Sequence, residues 1–176
     1  MNYFYHVTYA MNLPGIARRG LVPGGGQGVS IRNTSLAAYS KQGVFLTLDT
    51  GVAFWVNHLA SGIGPRTIRN ALPWVPVVLR IPAHERTRRD PLGERDTGLP
   101  AFWTRAVPKS LLEAYGGDLG WLPAARYAEI QVRSGLRRCG EVFDNEQTEF
   151  SRARRLLPAW CVRRAHESPL VPVLRT

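Results

Sequence analysis

The sequence predicts a mixed α+β fold with more strand than helix in its core, built as one domain over residues 1–176. Three observations carry that reading. Short runs rich in aromatic and β-branched residues recur along the chain, and helical spacing of apolar residues appears only in brief stretches between them. A length of 176 residues, with 44% hydrophobic and 20% charged content, suits a single core.

Taken in order, residues 3–9 are aromatic and β-branched and read as a strand. Asn12 can cap a short helix over 13–19, with Pro14 tolerated in its first turn and Gly20 ending it. The glycine-rich run 24–28 reads as a flexible loop, or as a loop over a nucleotide pocket. Residues 43–48 form a second strand. Asp49 or Thr50 then caps a helix over 51–60, whose apolar face is Val52, Trp55, Val56 and Leu59. Residues 75–81 make a third strand, with Pro76 at its start or on an edge. The polar stretch 83–98 reads as a loop, and 106–115 as a short helix ended by Gly116 and Gly117. Residues 127–133 alternate, Ala128, Ile130 and Val132 against Glu129 and Gln131, and read as a strand. Late strands are expected at 159–164 and 170–174.

The charge balance narrows the partners. Against 13 acidic residues stand 23 basic ones, a formal net charge of +10, and only Lys41 and Lys109 among the basic residues are lysines. Arginine is the better side chain for bidentate phosphate contacts, so nucleic acid is the favoured partner and an acidic membrane surface the lesser one. A GC-rich genome would also enrich arginine, so charge alone does not choose. Cys139 and Cys161 are too few for a disulfide scaffold and lack metal-ligand spacing; a reducing, cytoplasmic compartment fits them best. The first residues form no signal peptide, and no stretch is long enough to span a bilayer.

Several chemistries are excluded by pattern. His6, His58, His84 and His166 form no zinc-type pair, so no metal is expected. There is no nucleophile elbow, no phosphate-binding loop ending in Lys-Ser/Thr, and no dinucleotide fingerprint around the glycine run. What remains is an ordered set: a histidine within the first strand (His6), Phe45 and Trp55 ten residues apart on a strand–helix unit, and a lone acid at Glu129.

That set resembles the ADP-ribosyltransferase superfamily of the His-Tyr-Glu type. Tyr5-His6-Val7-Thr8, Asn12-Leu13-Pro14-Gly15-Ile16 and Gly20-Leu21-Val22-Pro23 are similar to its opening blocks. Gly43-Val44-Phe45-Leu46-Thr47 resembles its second strand, and Ala53-Phe54-Trp55 its following helix. Ala128-Glu129-Ile130-Gln131-Val132 resembles the late strand bearing its glutamate. The wording is closest to the DarT family of DNA-modifying toxins. The resemblance leaves 83–126 unaccounted for. It departs at Phe45, where the superfamily has Tyr, and at Tyr127, where arginine-directed toxins carry Glu or Gln. Most of the Arg/His set of RNA 2′-phosphotransferases is also missing.

The resemblance implies a split β-sheet core with short flanking helices and NAD+ as co-substrate. It assigns Glu129 and His6 as catalytic, and His6, Val7, Thr8, Arg32, Phe45 and Trp55 to NAD+ binding. In that scheme His6 holds the nicotinamide ribose hydroxyls and the Val7 backbone meets the carboxamide. Phe45 and Trp55 enclose the ring, and Arg32 meets the pyrophosphate or assists the transfer. With the +10 charge it implies a nucleic-acid base as acceptor, a bacterial toxin or defence role, and an antitoxin or immunity protein as a further partner. The candidate phosphate-binding residues are Arg86, Arg88, Arg89, Arg137, Arg138, Arg152, Arg154 and Arg155. Two alternatives stay open: a transferase acting on a protein side chain, and a nucleic-acid-binding module without activity.

Overall fold

A central pair of strands organises the fold. The computed structural model describes residues 2–24, 43–61 and 76–134. In it the aromatic run forms β1 (Tyr3–Tyr9), and the third expected strand forms β3 (Pro76–Pro82). The two pair antiparallel along their whole length, from Tyr3 opposite Pro82 to Tyr9 opposite Pro76. Pro76 opens its strand, where a missing N–H costs the ladder least.

Around this pair run α1 (Leu13–Arg19), β2 (Val44–Thr47), α2 (Asp49–Ser61), β4 (Arg88–Arg89) and α3 (Pro91–Thr97). The chain continues through β5 (Ala101–Thr104), β6 (Glu113–Tyr115), β7 (Trp121–Pro123) and α4 (Ala124–Ser134). The described strands make one sheet in the order β4-β5-β2-β1-β3-β6-β7, and each neighbouring pair is antiparallel. The architecture is α+β, with helices on both faces of the sheet.

Strand alternation sorts the side chains onto those faces. On one face Phe4, Val44, Leu46, Val77, Leu79, Ile81, Phe102 and Ala114 pack beneath α1 and α4, which supply Leu13, Ile16, Ala124, Tyr127 and Ala128. On the other face Val7 and Val78 meet Val52 and Val56 of α2. Val78, Leu79 and Ile81 have no exposed surface at all, so β3 is sealed from both sides. Full burial of each such side chain contributes about 1.5–3 kcal/mol. Beyond α2 on its face, Arg80 lies 4.4 Å from the Tyr3 ring centroid and 4.5 Å from that of Trp121. Its Nε donates to Glu113 Oε2 at 2.6 Å, which ties β1, β3, β6 and β7 together.

The structure corrects several expectations. Asp49 and Thr50 lie inside α2 rather than before it, and Asp49 Oδ1 accepts from the Thr50 N–H. Val52 and Val56 are buried as the apolar face required, with Ala53 beside them, while Trp55 and Leu59 are only partly covered. Asn12 precedes α1 but its side chain does not cap it; Asn12 Nδ2 donates to Thr8 Oγ1 at 3.1 Å instead.

The expected loop at 83–98 contains β4 and α3. Asp90 caps α3 by accepting from the Gly93 N–H at 3.1 Å, Pro91 opens it, and Gly98 closes it at φ 67°. The expected helix at 106–115 is a single 3₁₀ turn followed by β6, and β5 had no sequence expectation at all. Residues 127–133 are helical, within α4. There Ala124, Tyr127 and Ala128 fall three and four apart and bury together against α1, which strand geometry would not allow. The late strands expected at 159–164 and 170–174 lie outside the described residues.

Gly20 is where helix termination and tertiary packing coincide. Its φ is 81° and its N–H donates to Ile16 O at 2.8 Å, ending α1. The next residue, Leu21, exchanges two backbone hydrogen bonds with Val107, at 3.0 and 2.9 Å. A Cβ at position 20 would run into the Val107 carbonyl. Gly20→Ala therefore combines an unfavourable left-handed backbone with a backbone clash. It is expected to destabilise by roughly 2 kcal/mol or more, read as a lowered urea midpoint at unchanged m-value.

Candidate active site

His6 stands at the thinnest seam of the sheet. β1 pairs with β3 along its full length, yet with β2 only through Tyr5 opposite Thr47. At the next level the Phe45 carbonyl accepts from the His6 ring, Nδ1 to O 2.8 Å, so a side chain bridges the two strands. Because a carbonyl can only accept, Nδ1 carries the proton and Nε2 keeps its lone pair. Part of the ring surface is accessible, but the surrounding packing lowers the His6 pKa through desolvation; the bond to Phe45 O opposes this more weakly. Nε2 makes no hydrogen bond to another described residue. His6 is thus a neutral imidazole, oriented by backbone, with an acceptor nitrogen to offer. Thr8, two residues on and on the same face, is buried and accepts from Asn12.

The other expected site residues fall on both sides of the sheet. Phe45 has the opposite pleat to Leu46, so its side chain lies on the α2 face, whereas His6 sits opposite Leu79 on the α1/α4 face. Trp55 is on α2, hence in the same layer as Phe45. Its ring makes T-shaped contacts with Phe54 at 5.3 Å and His58 at 5.6 Å, and Phe54 and His58 stack at 6.0 Å. Val7 also faces α2.

Glu129 lies on α4, in the layer covering the His6 face, and points outward. Its side chain is 58% exposed and pairs with Arg126 one turn earlier at 3.1 Å. The strand that was to carry it is absent because α4 satisfies its backbone internally and buries Tyr127 and Ala128. The structure therefore joins His6 to the Phe45 backbone, puts the Phe45 and Trp55 side chains in one layer, and leaves Glu129 at the surface of the other.

Of the arginines expected to meet phosphate, Arg86 and Arg88 are exposed and have no acidic partner among the described residues. Arg89 donates to Glu94 at 2.7 Å. Arg32, Arg137, Arg138, Arg152, Arg154 and Arg155 lie outside the described residues, as do Cys139, Cys161 and His166. Among the described residues no group of three or more His, Cys, Asp or Glu is placed to hold a metal ion. No helix among them is long and apolar enough to cross a membrane.

Sequence reasoning missed Trp103, which stands on β5 opposite Phe45. Its signal was the run Ala101-Phe102-Trp103-Thr104, aromatic and β-branched but only four residues long. It also missed Arg80, whose two ring partners are far apart in sequence.

Comparison with protein-family models, with curated proteins and with solved structures finds no match for this chain.

The His6 environment has a pH consequence. With a folded-state pKa below the unfolded value near 6.5, neutral His6 contributes stability that is fully present above that value. The contribution is lost as pH falls through the folded pKa. His58, also lowered by burial, acts in the same direction. Thermal melts from pH 7.5 down to 5 should show falling stability, with a shallower slope in His6→Gln, which removes one of the two titrations. An unchanged slope in the variant would contradict this account.

Proposed function

We propose that the chain is a mono-ADP-ribosyltransferase that cleaves NAD+ and transfers ADP-ribose to a nucleic-acid base, in the manner of a bacterial toxin or defence factor. The observation that carries the reading is His6. It is a neutral, backbone-oriented imidazole at the sheet's weakest seam, with Nε2 unbonded among the described residues. Such a nitrogen can accept a ribose hydroxyl and hold the sugar in one orientation. The resemblance of the surrounding blocks to the ADP-ribosyltransferase superfamily supplies the chemistry, although the split sheet it implies is here one seven-stranded sheet.

In this reading the bond between the nicotinamide nitrogen and the ribose C1′ breaks. Nicotinamide leaves with the electron pair, and a base nitrogen or oxygen attacks C1′ as its proton departs. The ribose passes through an oxocarbenium-like state, which a carboxylate at the sugar hydroxyls stabilises. Glu129 is the proposed carboxylate. Among the described residues its side chain is restrained by one exposed ion pair, worth about 0–1 kcal/mol. Phe45 and Trp55, which the resemblance assigns to the nicotinamide ring, share the α2 layer across the sheet from His6 and Glu129, so the ring of a nucleotide held at His6 does not reach between them. The acceptor assignment rests on the net charge of +10 and on the exposed guanidinium groups of Arg86 and Arg88, which have no acidic partner among the described residues.

A non-enzymatic nucleic-acid-binding module is the second reading. The outward position of Glu129 on a helix surface favours it.

Because Glu129 is exposed and its pair with Arg126 weak, Glu129→Ala should change unfolding free energy by less than about 0.5 kcal/mol. Nicotinamide release from NAD+ should nevertheless fall by about 10²–10³. Labelled NAD+ offered with single-stranded DNA, structured RNA and cell lysate names the acceptor. Release by wild type at the same rate as the variant would remove Glu129 from the mechanism, and no release with any acceptor would favour the binding module.

A further inference from the structure

The α2 face of the sheet ends in a row that neither core absorbs. Register aligns Arg88 of β4 with Trp103 of β5, and Trp103 with Phe45 of β2. Residues opposite one another share a face, so these three side chains project side by side across three adjacent strands, about 4.8 Å from one strand to the next. Phe45 and Trp103 are partly exposed and belong to neither buried cluster, in contrast to Phe102, which precedes Trp103 on β5, has the opposite pleat and packs into the larger one. Neither ring meets another aromatic among the described residues.

The indole is held from below. A Cβ built on Gly43 would come within 2.8 Å of Trp103 Cε3 and 3.2 Å of Thr104 O, so the ring lies close over the glycine backbone of β2. α2 packs over β1 and β3, and α3 packs against β5 at its Ala101 end, where Gly93 approaches Ala101. At the rim of the row, Arg86 in the turn before β4 and Arg105 just after β5 are exposed. Neither they nor Arg88 have an acidic partner among the described residues, although Glu85 adjoins Arg86.

We propose that Trp103, with Arg88 beside it, forms a binding strip for single-stranded nucleic acid, in which an unpaired base stacks on the indole and its phosphates meet Arg88, Arg86 and Arg105. A flat aromatic ring flanked by exposed guanidinium groups matches a base joined to a phosphate, and the net charge of +10 draws that polyanion. Single strands are selected because bases in a duplex already stack on their neighbours and cannot cover a protein ring. The strip lies on the α2 face, across the sheet from His6, so the binding does not rest on the transferase reading.

The test is fluorescence anisotropy of a labelled single-stranded oligodeoxynucleotide of mixed sequence with the full chain, without NAD+, across a salt series. Trp103→Ala should weaken binding roughly 5- to 100-fold at constant salt slope, the range of one lost base stack. Trp103→Phe, which keeps a ring and controls for folding, should retain most of the affinity. Arg88→Ala should weaken it and reduce the salt slope by about one. Wild-type affinity in Trp103→Ala would overturn the proposal. So would equal loss in Trp103→Phe and Trp103→Ala, or a duplex or heparin bound as tightly as the single strand. Wild type that binds through Trp103 yet releases no nicotinamide would remove the transferase and leave the strip; release without Trp103-dependent binding would do the reverse.

Discussion

The pairing of β1 with β3 is the constraint on which the rest of the fold depends. Seven consecutive partners lock the register from Tyr3 with Pro82 to Tyr9 with Pro76. Because side chains alternate, a slip of one residue would move Val78 and Leu79 to the wrong layers together. Both layers would lose their centre, since β3 contributes to the α1/α4 cluster through Val77, Leu79 and Ile81 and to the α2 cluster through Val78. Sealing a strand on both faces makes its register expensive to change, so this pair holds its neighbours in place. The Arg80 sandwich between Tyr3 and Trp121 extends the same register outward to β6 and β7.

The other side of β1 is built differently. Toward β2 the ladder shrinks to Tyr5 with Thr47, and a histidine ring takes over the bonding to Phe45 O. A side-chain bridge between strands orients the ring and leaves its second nitrogen as an acceptor. The sheet is thus rigid where β1 meets β3 and weakly joined where β1 meets β2. Polar residues in the first strand gather on that account: His6 and Thr8 share the α1/α4 face with apolar neighbours, and each finds a hydrogen bond within reach, to Phe45 O and from Asn12.

Pleat parity divides the aromatic and acidic candidates. His6 faces α1 and α4, Phe45 faces α2, and the two are linked through backbone rather than through facing side chains. The same parity gathers Arg88, Trp103 and Phe45 into one row, three residues that no linear motif connects. Glu129 is governed by a different rule. In α4 the helical period turns Tyr127 and Ala128 inward and leaves Glu129 outward, paired with Arg126.

Much of the first half of the chain was legible from local pattern. The aromatic run of β1, the Pro14 start and Gly20 stop of α1, β2, the body of α2 and the Pro76-initiated β3 each carry a signal within the element itself, because propensity and termination act between near neighbours. The second half was not. Residues 127–133 fit alternation and helical spacing equally well, and only the presence of α1 to receive Tyr127 and Ala128 decides for the helix. Glu113–Tyr115 and Arg88–Arg89 are too short to hold a strand by propensity; they exist because β3 and β5 offer edges to pair with. By itself the sequence determined the α+β class and the basic surplus. The tertiary structure alone decided which face each site residue occupies, since a face is set by pairing partners distant in sequence and no local stretch contains that information.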